Sequence, residues 1–266
     1  MMLDLDQRTA IAAAIMREAG QRALAYFRDR GRLAVERKGL QDLVSIADRE
    51  VETIIRAGLE RSFPGEAILG EEGGGSGDAE RLWIIDPIDG TANFLRGIPY
   101  WSMVLGYVED GRVQVGVTYD PVHDELFVAS AGNGARRDGE AIAVSGVSDP
   151  GAACVGLSYT FKTPTPPYID MVAKALGEGF DHRRMGSSAL ALAHVADGRL
   201  DALMVPYANM WDVVSGLILV EEAGGFVTPF RPEGGLTRPS AILACTPALA
   251  PLLQRISGIT GEGTLT

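Results

Sequence analysis

Cysteine, histidine, basic charge and long apolar runs are all scarce in this sequence of 266 residues, and each scarcity excludes a class of function. The two cysteines, Cys154 and Cys245, are too few and too far apart for a disulfide framework or a zinc site. They read as small core residues in a reducing compartment. Of the three histidines, His194 falls in an Ala/Leu-rich helical stretch and reads as packing, while His123 and His182 fall in polar loops. Ser187 and Ser188 make no hydrolase triad with His194, because no nucleophile-elbow sequence surrounds them. Lysine and arginine total 24 against 35 aspartates and glutamates, a net charge of −11. That field repels phosphate backbones and anionic lipid, so neither nucleic acid nor a membrane surface is expected as a partner. The longest apolar candidate, Val213 to Val220, is broken by Ser215 and Gly216 and falls short of the ~20 residues of a membrane helix. The first residues carry Asp4, Asp6, Arg8, Arg17 and Glu18 where a signal peptide would be apolar, so a cytoplasmic protein is expected.

What is present is an ordinary globular mixture, 46% hydrophobic and 22% charged. At roughly 150 residues per domain the chain makes one large or two closely packed domains, able to bury about 70–75% of its unfolded surface. Ile11, Ile15, Ala19, Ala23 and Phe27 recur four apart and predict an amphipathic helix over 6–28. A short strand is expected over 33–36. A second helix is expected from near Asp48 to a stop at Pro64-Gly65, burying Val51, Ile54, Ile55 and Leu59. Residues 67–69 and 82–85 read as strands, 102–108 and 112–119 as a hairpin about Asp110-Gly111, and 125–130 as another strand. The glycine-rich run 73–77 lacks the Lys-Ser/Thr ending of a phosphate loop and reads as a mobile excursion. Beyond Asp149-Pro150-Gly151 the rhythm changes. Pro164, Pro166 and Pro167 suggest a stiff loop, helices are expected over 168–176, 187–196 and 212–222, and strands over 155–158, 200–205 and near Phe226 and Ile242. An antiparallel-sheet α+β domain, 1–149, followed by an α/β domain, 150–266, is the architecture these patterns predict.

The chemistry concentrates in Trp83-Ile84-Ile85-Asp86-Pro87-Ile88-Asp89-Gly90-Thr91-Ala92-Asn93-Phe94. An apolar strand delivers Asp86 at its end, Pro87 fixes the turn, and Asp89 follows, so both carboxylates and the Ile88 carbonyl can face one mouth. Hard oxygen donors of this kind suit Mg2+. Gly90 and Thr91 stand where a short helix can begin, and N–H groups there favour an anion. An isolated Asp-x-x-Asp-Gly is equally a polar turn and a helix cap; further acids give it a different meaning. Glu71 ends a strand, and alternation lets only one of Glu71 and Glu72 face a given site; Glu71 is the better placed. Asp212 opens an apolar helix and reads as either a cap or a ligand. Asp48, also at a helix start, can cap and still hydrogen-bond a hydroxyl, for which Thr91 is the partner.

Together these segments resemble the inositol monophosphatase family, within the lithium-sensitive, magnesium-dependent phosphatases. The likeness spans about residues 6–255. It rests on Gly70-Glu71-Glu72, on the Trp83 to Phe94 run, and on Trp211-Asp212 through Glu222-Ala223-Gly224-Gly225. Lys38 ahead of Asp42-Leu43-Val44-Ser45, Asp48, and Arg183-Arg184-Met185-Gly186-Ser187-Ser188-Ala189 match as well. The resemblance implies a layered αβαβα, sugar-phosphatase-like fold and a homodimer acting on a small-molecule phosphate ester. By the same likeness Glu71, Asp86, the Ile88 carbonyl, Asp89 and Asp212 would ligate two to three Mg2+. Gly90 and Thr91 would hold the phosphate, and Glu71 and Thr91, oriented by Asp48, would position the attacking water.

For the alcohol half of the substrate, Asp89, Gly186, Ser187, Ser188, Val205 and Asp212 occupy the positions that the family uses. The departure is Val205, seven residues before Asp212, where inositol phosphatases usually carry a glutamate that accepts from sugar hydroxyls. Valine cannot accept, so discrimination for inositol needs an acceptor from Asn209 or a partner chain. Phe94 to Trp101 has some likeness to the histidinol-phosphate branch. Thr91-Ala92-Asn93-Phe94 lacks the Lys-Glu-Phe of the nucleotide-bisphosphate branch. Inositol 1-phosphate is the expected substrate and histidinol phosphate the alternative. A non-catalytic, metal-binding regulatory protein of the same fold is the reading from another class.

Overall fold

The computed structural model describes residues 4–29, 35–39, 42–75, 79–230, 236 and 238–260, and of 35–39 and 42–44 the backbone alone. Helix α1 (Leu5–Arg28) starts where Asp4 accepts from the Gln7 N–H at 2.8 Å and Gln7 returns a bond to the Asp4 N–H. A hairpin of β1 (Val35–Gly39) and β2 (Asp42–Ser45) leads into α2 (Ile46–Ser62). The strand expected at 33–36 is thus β1; residues 33 and 34 lie outside the described residues. The second helix begins two residues earlier than expected. Ser45 caps it, and Asp48 is its third residue, reaching back to the Ser45 N–H at 2.8 Å.

Both helices cover one face of a seven-stranded sheet. Its strands are β3 (Ala67–Gly70), β4 (Arg81–Asp89), β5 (Ser102–Glu109), β6 (Arg112–Asp120), β7 (Glu125–Ser130), β8 (Ala135–Arg137) and β9 (Glu140–Ala141), adjacent in chain order. β3 and β4 are parallel and the later pairs antiparallel. A short helix, α3 (Thr91–Arg96), follows β4. The unbroken apolar run in β4 has a simple cause: Trp83 and Ile85 pack under α1 and α2, and Leu82 and Ile84 pack on the opposite face. Arg8 pins α1 to this layer through a bidentate pair with Glu66 at 2.7 and 2.8 Å, and Trp83 Nε1 donates to the same carboxylate.

The opposite face carries α5 (Ser188–Ala196) and α6 (Met210–Glu222), which also cover a second sheet of order β11-β10-β12-β14-β13. Those strands are β10 (Cys154–Leu157), β11 (Asp181–Arg183), β12 (Ala202–Ala208), β13 (Phe226–Val227) and β14 (Ser240–Cys245). Outside them lie α4 (Thr165–Gly177) and α7 (Ala250–Ser257). The result is a layered αβαβα sandwich. Helices in a middle layer have no solvent face, which is why α5 and α6 are apolar nearly all round. The central core joins Leu82, Val104 and Phe127 to Leu192, Val214 and Ile242, so it crosses residue 149.

Two further expectations are corrected. Pro166 and Pro167 lie in the first turn of α4, not in a loop, because N–H groups there have no partner inside the helix to lose. Asp212 is the third residue of α6 and accepts from the Asn209 N–H at 2.8 Å; it does not open the helix. Gly74 exchanges backbone bonds of 3.0 Å with Gly70, so the glycine excursion is tied at its base; 76 and 77 lie outside the described residues. Cys154 and Cys245 are free thiols, half-buried and buried. No helix among the described residues is long and apolar enough to cross a membrane.

Candidate active site

The carboxyl ends of β3, β4, β10 and β12 open into one cleft of about 700 Å³ between the two sheets. Glu71 leaves β3 with its N–H bonded to the Ile85 carbonyl at 3.1 Å, which fixes it beside β4. The pairing of β4 with β5 is irregular between Asp86 and Asp89. Pro87 has no N–H to give the ladder. That break allows Asp86, the backbone of Ile88 and Asp89 all to line the cleft. Asp86 is further steadied by the Ile88 N–H at 2.9 Å.

Gly90 then turns the chain into α3 with φ of 97°, a conformation for glycine, and a Cβ there would meet the Gly186 carbonyl and Ser187 Cβ at 3.2 Å. Thr91, the first residue of α3, presents its hydroxyl to the Ile88 carbonyl at 3.0 Å and to Asp48 Oδ1 at 3.3 Å; its one proton serves one acceptor at a time. The pairing of Asp48 with Thr91 expected from the sequence is therefore present. Burial raises the Asp48 carboxyl, while the Ser45 hydroxyl and N–H pull it back.

Burial pushes Asp86 well above the ordinary carboxylate range, and the charges of Glu71, Asp89 and Asp212 add to the rise. Asp89 is raised by burial to about 6 against the pull of Ser187 and the N–H groups that open α5. Asp212 is pushed up to about 7 by burial and the Asp89 charge. Acids that oppose one another in this way are relieved by a cation. The donors are oxygens, which suits Mg2+ and disfavours softer ions. Among the described residues no three acidic, histidine or cysteine side chains gather tightly enough to hold an ion unaided. Mg2+ accepts such an open set, since it keeps waters and takes substrate phosphate oxygens as ligands.

The alcohol side differs from the expectation. Gly186 and Ser188 line the cleft. Ser187 lies beneath it, 3% exposed, donating to Asp89 Oδ2, an oxygen that also accepts from the Ala189 N–H at 2.7 Å. Val205 is not a cleft residue. Along β12, Leu203 and Val205 face the middle helices while Ala202 and Met204 face α4 and α7, so Val205 is core. The register shifts after Val205, and Tyr207 comes to the cleft instead. Asn209 lines it too, with its amide on Asp212 Oδ2 at 3.1 Å. Residues missed from the sequence form the far wall: Tyr159, Thr160, Phe161 and Lys162 after β10, and Arg96. Arg184, from the family-like run that precedes α5, joins them. Nothing in their local pattern announces a site: Tyr159 to Lys162 and Arg184 come in from the other half of the chain behind β10 and β11, and Arg96 ends α3. Asn93 is also new: its amide donates to the Tyr100 and Met185 carbonyls at 2.7 and 2.8 Å, lacing α3 to the Gly186 turn.

A family profile described as the inositol monophosphatase family matches residues 4–258. A Pseudomonas aeruginosa protein named Nus factor SuhB is 37% identical over 228 residues, 83% of this chain and 84% of that one. A Thermotoga maritima protein named fructose-1,6-bisphosphatase/inositol-1-monophosphatase is 42% identical over 197 residues, 74% of this chain and 75% of that one. The solved structure of the extragenic suppressor protein suhB from Bartonella henselae superposes with a TM-score of 0.87 at 31% identity, covering 93% of this chain and 97% of that one.

Proposed function

Because this chain belongs to the inositol monophosphatase family, we propose that its cleft is a Mg2+-dependent phosphomonoesterase site for a small polyol phosphate. The observation that carries the reading is the convergence of Glu71, Asp86, the Ile88 backbone, Asp89, Thr91 and Asp212 on one cleft from three separate stretches of chain. Glu71, Asp86, the Ile88 carbonyl, Asp89 and Asp212 would hold two to three Mg2+. When bound, Mg2+ lowers the pKa of a coordinated water and offsets charge on the attacking and leaving oxygens. Glu71 and the Thr91 hydroxyl orient the water, and Asp48 keeps that hydroxyl aimed. Backbone N–H groups at Gly90 and Thr91 seat the phosphate. No histidine is required. A homodimer, sensitivity to Li+ and residence in the cytoplasm belong to the same proposal.

Inositol 1-phosphate remains the first candidate and histidinol phosphate the alternative; Asn209 and Ser188 are the polar groups near the leaving alcohol. A second reading is an ester that carries another phosphate. It is favoured by Arg96, Lys162 and Arg184 lining the cleft of a chain whose net charge is −11, and by the name of the Thermotoga relative. A third, of another class, is a binding role without turnover, as the Nus factor name of the Pseudomonas relative suggests.

The deciding experiment is phosphate release from inositol 1-phosphate, histidinol phosphate and fructose 1,6-bisphosphate side by side, with Mg2+, with EDTA and with Li+. Release that EDTA abolishes is expected, and its ranking names the substrate class. A folded protein silent on all three esters in Mg2+ would reject the hydrolytic reading and favour the binding role.

A further inference from the structure

Helix α2 carries three polar side chains one turn apart on one face: Asp48, Glu52 and Arg56. Asp48 meets Thr91. Glu52 is charged yet only 2% exposed. One of its oxygens accepts from the Glu72 N–H at 2.9 Å; the other accepts from the Gly73 N–H at 2.9 Å and from Arg56 Nε at 2.7 Å. Arg56 also donates to the Gly74 carbonyl at 2.6 Å. Three of these four bonds run to the backbone immediately after Glu71. The approach is close enough to require glycine: a Cβ on Gly70 or Gly73 would lie 2.1 or 2.6 Å from Glu52 Oε1.

We propose that Glu52 and Arg56 are positioning residues that set the Glu71 carboxylate against Asp86 and Thr91. A single rigid helix then registers both halves of the water-orienting pair, Thr91 through Asp48 and Glu71 through Glu52. The inference rests on the hydrolytic reading above, in which Glu71 binds the ion and orients the water. Its physical basis is the charge of Glu52. An ionised carboxylate accepting from two amides and a guanidinium localises the loop far more firmly than a neutral amide, which would turn a donor toward one of those N–H groups.

The test uses the full-length protein with Glu52→Gln and, at a partly exposed position where folding is safer, Arg56→Gln. In Glu52→Gln the Mg2+ concentration for half-maximal rate should rise about tenfold or more, the usual effect of losing a group that supports a ligand. The turnover number should fall while KM for the ester stays near its wild-type value, because Gly90, Thr91 and the far wall are untouched. Amide hydrogen exchange should quicken at Glu72 and Gly73, and the stabilisation of the fold by Mg2+ alone, read as a thermal shift, should need more ion. Arg56→Gln should move the same quantities by less. A merely structural Glu52 would lower the melting temperature and leave half-saturating Mg2+ unchanged; that result, or wild-type exchange at 72 and 73 in both variants, overturns the proposal. Exchange and the Mg2+ thermal shift need no turnover. An inactive wild type therefore sinks the hydrolytic reading, whereas an active wild type with indistinguishable variants sinks the clamp.

Discussion

Asp89 lines the cleft and, through Oδ2, also holds the start of α5 by way of Ser187 and the Ala189 N–H. Asparagine can keep the second task with its carbonyl oxygen and cannot perform the first as an anion. Asp89→Asn should therefore fold with a near-native melting curve and lose more than about 100-fold of Mg2+-dependent phosphate release, since even groups that only support metal ligands cost 10–100-fold. Retained activity in the folded variant would remove Asp89 from the ion site. Thr91 and Asp48 share one hydrogen bond, so they should act as a unit. The double alanine variant should release phosphate little more slowly than the worse single variant, in rates measured under one Mg2+ concentration. Multiplying losses would separate their roles. These residues were legible in the sequence because Asp86 to Thr91 lie within six positions and their order carries the chemistry. Glu52 was not, since apart from Arg56 its partners are backbone groups some twenty residues away.

At the scale of elements, β12 shows how a positional match can mislead. Val205 stands where the family carries an acceptor, but this strand turns that position toward α5 and α6. Restoring the family residue is then a test of orientation. Val205→Glu should put an unpaired carboxylate into a packed core and cost about 3 kcal/mol or more in denaturant unfolding. It should bring no gain in preference for inositol 1-phosphate over histidinol phosphate. A stable variant with a raised inositol preference would place the side chain in the cleft after all. Asp48 and Asp212 teach a related lesson. Both read as helix openers, and both are third residues that reach back to the N–H of the capping position. A capping residue and a third-position acid share the same local composition, so only the backbone register tells them apart.

At the scale of the molecule, the two halves of the chain are joined by polar as well as apolar contacts. Tyr100 in the loop before β5, His194, Arg199 and Glu125 form a chain of bonds from that loop to α5 and on to β7. Arg199 can only donate, so His194 Nε2 accepts and Nδ1 carries the proton toward Tyr100. Burial and the Arg199 charge lower the His194 imidazole to about 4. Between the ordinary value near 6.5 and about 4 the unfolded chain therefore binds a proton that the folded chain refuses, and stability falls as pH falls through that window. His194→Gln should flatten the loss of melting temperature between pH 7 and pH 5, the difference between the two proteins isolating this imidazole. Parallel curves would show that the group is charged in the native state.

The sequence did not announce the short strands β2, β8, β9 and β11 or helix α7, but it did carry helices α1, α2 and α4 to α6, the longer strands, and the short constellation from Asp86 to Thr91. Those depend on periodicity and on neighbours within a turn or two. Tertiary structure alone decided that Ser187 supports Asp89, that Val205 is core and Tyr207 lines the cleft, and that Arg96, Lys162 and Arg184 line the same cleft. It also decided that Glu52 grips the loop behind Glu71. The reason is geometric. Each of these roles depends on which way a side chain leaves its element and on which distant segment that element meets. Both are set by the stacking of five layers, not by any local pattern.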